Sequence, residues 1–125
     1  MFKLKLFVVG FFALFALLAC SESKSKGFVI AESKKYEASL FRQNCAICHG
    51  AEGEGKLLDD GKQVPSLRSG EFKFKTEPEI YKQIANGGNG MTPFRSILSE
   101  RELKQMSEFV YKDLRGNWKE VRSEK

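Results

Sequence analysis

Cys45-Ala46-Ile47-Cys48-His49 puts two thiols and one imidazole within five residues. Three chemistries use a C-x-x-C pair: a dithiol redox couple, half of a zinc site, and covalent haem attachment. A structural zinc site takes four protein ligands. This chain has three cysteines and one histidine, and Cys20 belongs to a different signal. A dithiol motif is expected beside a βαβ pattern, and none surrounds residue 45. The histidine directly after the second cysteine points to haem. Residues i and i+3 lie on one side of a helical turn, so both sulfurs can face one ligand and form thioethers with its vinyl groups. His49 then stands where it can bind iron from one face.

A sixth ligand has to come from elsewhere. With His49 the only histidine, two imidazoles cannot come from one chain. The other soft neutral donor is a methionine thioether. Met1 lies in the leader, and Met106 falls on an apolar helical stripe, where methionine is packing material. Met91 lies in Asn86-Gly87-Gly88-Asn89-Gly90-Met91-Thr92-Pro93-Phe94. Three glycines let this backbone approach a flat ring closely, and Pro93 stiffens its exit. An iron-bound imidazole also needs an acceptor for its other ring nitrogen. Val64-Pro65-Ser66-Leu67 is a candidate source of that carbonyl.

The elements that must hold these residues are legible in outline. Met1-Phe2-Lys3-Leu4-Lys5 is a basic leader, and Leu6 to Ala19 is an almost unbroken apolar run. That run is short for a membrane span, which needs about 20 residues, and it fits a secretory signal. It ends in Leu17-Leu18-Ala19-Cys20, which resembles a bacterial lipoprotein box. The resemblance implies cleavage after residue 19 and a lipid on Cys20. The chain of 125 residues has 21 basic and 16 acidic residues. Two of the lysines lie in the leader, so the mature charge is +3. No block of like charge supports nucleic-acid binding. Of eleven phenylalanines, six remain after residue 19, in a single small domain whose limited core a bound haem would complete.

Residues 20–33 are rich in Ser, Lys and Glu and read as a flexible tether. A first helix is expected from about Ser33 to Ile47, with Tyr36, Leu40 and Phe41 at helical spacing. Gly50 stops it, and Glu52-Gly53-Glu54-Gly55 reads as loop. Residues 56–75 read as a long irregular connection, turning at Asp59-Asp60-Gly61 and Pro65, of a length that suits wrapping a ligand. Thr76 and Glu79 form a capping-box pair ahead of a helix that ends at Asn86-Gly87-Gly88. Ser99 and Glu102 form another, with Leu98 and Leu103 as a staple. Leu103, Met106, Val110 and Leu114 then make one stripe, adjoined by Phe109 and closed by Gly116. No strand run or hairpin signal emerges. The fold class expected is all-α, with a domain over 34–118 and a charged tail over 119–125.

The ordered set resembles the class I monohaem c-type cytochromes of the small bacterial kind, over Tyr36 to Leu114. The residues that carry the likeness are Phe41-x-x-x-Cys45-x-x-Cys48-His49-Gly50, Pro65-x-Leu67, Asn86-Gly87-Gly88-Asn89-Gly90-Met91 and the last helix with Phe109. Many relatives have Met-Pro where this chain has Met91-Thr92-Pro93. The resemblance implies a cytochrome c fold, with three to four short helices around one haem c. It implies that Cys45 and Cys48 bind the haem, that His49 and Met91 are its axial ligands, and that the Pro65 carbonyl receives the histidine N–H. It implies a crossing of first and last helices near Phe41 and Phe109.

The expected function is one-electron transfer, as a carrier and not an enzyme. The partners are membrane oxidases or reductases, and nucleic acid is not among them. The chain is expected as a monomer, exported and lipid-anchored through Cys20, facing the periplasm or cell exterior. The alternative is a gas sensor or catalytic haem protein in which Met91 is labile.

Overall fold

The structure, a computed structural model, describes residues 27–116. Among the described residues, the helices in chain order are α1 Tyr36–Asn44, α2 Ala46–His49, α3 Glu77–Asn86 and α4 Glu100–Glu108. The last continues as a wider π-helical turn, Phe109–Leu114. Its wider winding shows in the Arg115 N–H, which donates to the Val110 carbonyl five residues back at 3.2 Å. The helical class expected from the sequence is what the described residues adopt.

Both capping boxes form. The Thr76 N–H and hydroxyl donate to Glu79 Oε2 at 2.9 and 3.0 Å, and Pro78 sits in the first turn of α3, where its missing N–H has no intrahelical partner to lose. The Ser99 N–H donates to Glu102 Oε2 at 2.8 Å, and the Glu102 N–H returns a bond to Ser99 Oγ at 3.3 Å. Leu98 and Leu103 on either side of that cap are both buried. These reciprocal bonds satisfy orphan donors that each helix start would otherwise leave open. They fix where α3 and α4 begin, and with it the loop between them.

The apolar stripe of the last helix is the centre of the core. Leu103, Met106, Phe109, Val110 and Leu114 are all buried, with Phe41, Ile80, Ile84 and Ala85 packed on them. The Phe41 and Phe109 rings meet at 6.2 Å between centroids, tilted 54°. The first and last helices therefore meet at the pair expected. Met106 is 1% exposed and is packing material.

Three expectations are corrected. The first helix is not continuous from 33 to 47. It breaks at Cys45, whose φ and ψ of −113° and −35° end α1 at Asn44 and restart α2 at Ala46. The long connection also contains an antiparallel pair, β1 Lys56–Leu57 with β2 Gln63–Val64, in the register Lys56↔Val64. Two-residue strands leave almost no period-2 signal, so pattern reading misses them. The turn between them is the Asp59-Asp60-Gly61 one, with the Gly61 N–H donating to the Leu58 carbonyl at 2.9 Å.

The third correction concerns the tether. Its described part, residues 27–33, packs onto the domain. Ile30 is 0% exposed, and the Phe28 ring stands edge-on to Phe109 at 5.2 Å and 84°. Glu52 accepts the N–H groups of Ile30 and Ala31 at 2.7 and 2.8 Å. Three apolar residues in a polar segment carry no periodicity, and the partner that orders them lies more than twenty residues on. The leader, Cys20, Trp118 and the 119–125 tail lie outside the described residues. Among the described residues, no helix is long and apolar enough to cross a membrane.

Candidate haem-binding site

Cys45 is the hinge of the site. Its carbonyl accepts the N–H groups of Cys48 at 3.1 Å and His49 at 2.9 Å. One backbone oxygen thus gathers the two later members of the motif into a single turn. Cys45 and Cys48 form no disulfide, and Cys45 is half-buried and Cys48 exposed. Burial first, then the neighbouring Cys48, pushes the Cys45 thiol up to about 12. A dithiol redox couple needs a depressed thiol pKa, so the environment of Cys45 argues against that use. Among the described residues, no three His, Cys, Asp or Glu side chains converge in a way that could hold a metal ion. A protein-only zinc site therefore has no frame here.

His49 ends α2, and Gly50 follows with φ 84° and caps the turn through its N–H to Ala46 O at 3.0 Å. Burial lowers the imidazole pKa, which keeps the ring neutral and its lone pair available at neutral pH. Its Nδ1 is buried and has no hydrogen-bond partner. A buried polar atom without a partner costs about 1–3 kcal/mol, so it marks a place where something else is expected. A ring coordinated through its other nitrogen and donating from Nδ1 suits this position.

Pro65 is exposed, and the structure does not join its carbonyl to His49. It does place it close by. The Gly55 N–H donates to the His49 carbonyl at 2.8 Å. On its other side Gly55 lies so near the next segment that a Cβ would stand 2.6 Å from Val64 O and 3.0 Å from the Pro65 carbonyl carbon. Only glycine permits that approach, and its φ of +89° favours glycine as well.

Met91 is half-buried against the core. Its loop is a closed backbone clip: Gly88 N–H to Met91 O at 2.9 Å and Met91 N–H to Gly88 O at 3.0 Å. A Cβ on Gly87 would sit 2.6 Å from Met91 O and 2.7 Å from Pro93 N, at a φ of +68°. The exit folds back on α3, with Phe94 N–H to Ile84 O at 3.0 Å and Arg95 N–H to Ala85 O at 3.1 Å. Cys45, Ala46, Leu67, Met91 and Phe94 all pack on the same core cluster while remaining partly uncovered. The partly uncovered apolar residues, the two cysteines and the His49 imidazole fit a haem.

Sequence reading missed Gln83, whose side-chain nitrogen lies 3.7 Å from Met91 Sδ and 2.9 Å from Gly88 O. Its position one turn before Gly87 on α3 was the available signal. Sequence reading also missed Glu52 and Arg68, which form an ion pair at 3.0 Å. Two charges sixteen residues apart in loops carry no pattern.

This fold and this site define a small c-type cytochrome domain. The chain belongs to the family described as cytochrome c oxidase, cbb3-type, subunit III, matched over residues 36–110. Cytochrome c6 of Synechococcus sp. is 30% identical over 81 residues, which are 65% of this chain and 70% of that protein. Cytochrome c6 of Euglena viridis is 29% identical over 85 residues, 65% of this chain and 93% of that protein. The cbb3-type oxidase subunit CcoP of Azospirillum sp. is 32% identical over 99 residues, 67% of this chain but 30% of that subunit. The chain thus spans less than a third of the CcoP subunit it matches. No solved structure gives a significant match. Family membership carries with it a covalently bound haem c and electron transfer through its iron.

Proposed function

We propose that this chain is a one-electron carrier that passes electrons between extracytoplasmic or membrane-bound redox proteins and performs no catalysis of its own. The observation that carries this reading is the half-buried Met91 thioether packed on the same core cluster as Cys45, the first residue of the turn that ends in a half-buried His49 with an unpartnered Nδ1. Haem c, when bound, supplies a ferric/ferrous couple. Cys45 and Cys48 would hold it by thioethers, and His49 and Met91 would supply the nitrogen and sulfur donors to its iron. A thioether favours the ferrous form more than a second imidazole does. The Pro65 carbonyl would accept a hydrogen bond from His49 Nδ1–H, which fixes the ring and raises its basicity. With Met91 as a ligand, an oxidant or gas would have to displace its sulfur to reach the iron.

Cys20, outside the described residues, carries a lipid in this reading and keeps the domain at a bacterial membrane facing the periplasm or cell exterior. Similarity to cbb3-type oxidase subunits and, at 38% identity over 72 residues, to the cytochrome bc1 complex cytochrome c subunit of Corynebacterium efficiens supports membrane complexes as partners. A carbon monoxide titration of the reduced holoprotein tests the Met91 ligation. Slow or negligible binding at neutral pH is expected. Rapid, complete binding would instead make this a gas-sensing or catalytic haem protein with a labile Met91.

A further inference from the structure

Glu52 lies three residues beyond His49, and Arg68 lies three beyond Pro65. Arg68 ties the loop after His49 to the segment after Pro65, and the Glu52 carboxylate ties that loop to residues 30 and 31. Arg68 donates from Nε to the Glu52 carbonyl and from Nη2 to the Glu52 carboxylate at 3.0 Å. Beside them the Leu67 N–H donates to the Gly53 carbonyl at 2.9 Å. The same carboxylate accepts the Ile30 and Ala31 N–H groups of the N-terminal strap. The strap is held in turn by Arg42, whose Nη1 donates to the Ile30 carbonyl at 2.6 Å, and by Phe28 on Phe109. Glu52 thus joins the strap through its carboxylate, belongs to the loop after His49, and reaches the Pro65 segment through Arg68.

We propose that the strap, Glu52 and Arg68 form a clamp that sets the hydrogen bond between His49 Nδ1 and the Pro65 segment, and through it the reduction potential. This rests on two parts of the reading proposed above, the ligation of haem iron by His49 and the hydrogen bond from its Nδ1–H to the Pro65 carbonyl. A firmly held Nδ1–H makes the imidazole a stronger donor, which favours ferric iron. Loosening the 49–55 and 64–68 segments weakens that bond and favours ferrous iron. Glu52 and Arg68 act as positioning residues, since neither needs to touch the haem.

The signs separate this clamp from simple electrostatics. If only charge acted, losing the Glu52 carboxylate would favour ferrous iron and losing the Arg68 guanidinium would favour ferric. The clamp makes both changes act in the same direction. The test is potentiometric titration of the full-length holoprotein as Glu52→Gln, Arg68→Gln and Glu52→Asp, after covalent haem is verified in each. The last keeps the charge but shortens the reach, so it decides the matter alone if Arg68→Gln fails to mature. Each variant is expected to raise the equilibrium constant for reduction by about two- to tenfold, tenfold being about 59 mV for one electron. The His49 Nδ1–H resonance of the ferrous protein should move upfield with it. A fall in Arg68→Gln, or an unshifted Glu52→Asp that retains haem, overturns the clamp. Absence of haem from the wild-type protein would instead overturn the ligation on which it rests.

Discussion

The Gln83 side chain bridges the methionine loop from below: one amide nitrogen reaches both the Gly88 carbonyl at 2.9 Å and the Met91 sulfur at 3.7 Å. Sulfur is a weak acceptor, and an N–H aimed at it draws density from the lone pairs that also serve a metal. Gln83→Leu removes that draw and leaves the loop one bond short. Potentiometric titration should then show a lower reduction potential with haem content unchanged. An unaltered potential would mean that the amide holds only the loop.

Met91→Ala should abolish the weak far-red ferric band that marks sulfur–iron ligation, and should open the reduced protein to carbon monoxide. Met106→Ala should leave that band in place, because Met106 is 1% exposed inside the core. Its effect falls on stability, a loss of about 2–5 kcal/mol. Survival of the band in Met91→Ala would move the axial role to Met106.

Ile30→Ala should destabilise the holoprotein by about 2–5 kcal/mol in denaturant unfolding, the cost of emptying a fully buried site. A flexible tether would give less than about 0.5 kcal/mol, the range of ordinary surface changes. Ile30 is 0% exposed, so the larger effect is expected.

Glu102 contributes to the acid limb of stability. The Tyr36 hydroxyl first, then the hydroxyl and backbone N–H of Ser99, hold its carboxyl down at about 2 from an ordinary 4.5. A folded-state pKa below the unfolded one stabilises the fold fully above the unfolded value, and that advantage disappears as pH falls through the folded one. Stability should therefore decline between about pH 4.5 and about 2 in part through this group. Glu102→Gln should flatten that part of the curve in thermal unfolding followed against pH.

Cys20→Ser should release the mature chain from the membrane fraction without altering its visible spectrum. Continued membrane association after signal cleavage would count against a lipid on Cys20.

Much of this was legible before any coordinates. Thr76/Glu79 and Ser99/Glu102 could be read because a capping box is local, both partners lying within one turn. The last helix could be read because five buried residues repeat at helical spacing. The haem motif could be read because covalent attachment demands adjacent residues. The rest depends on pairs distant in sequence. Ile30 is ordered by Glu52, Glu52 by Arg68, and Met91 by Gln83, and none of these pairs leaves a periodic trace. The β1–β2 pair is too short for alternation to show. The break at Cys45 reflects a single backbone torsion that no side-chain pattern marks.

The central claim is a haem joined to Cys45 and Cys48 by thioether bonds. It is tested most directly by a pyridine haemochrome spectrum of mature wild-type protein, denatured and extracted with acidified organic solvent. The expected result is one haem c per chain retained after extraction, lost when both cysteines are changed to serine. Protein that is exported, matured and yet free of extraction-resistant haem would contradict the account.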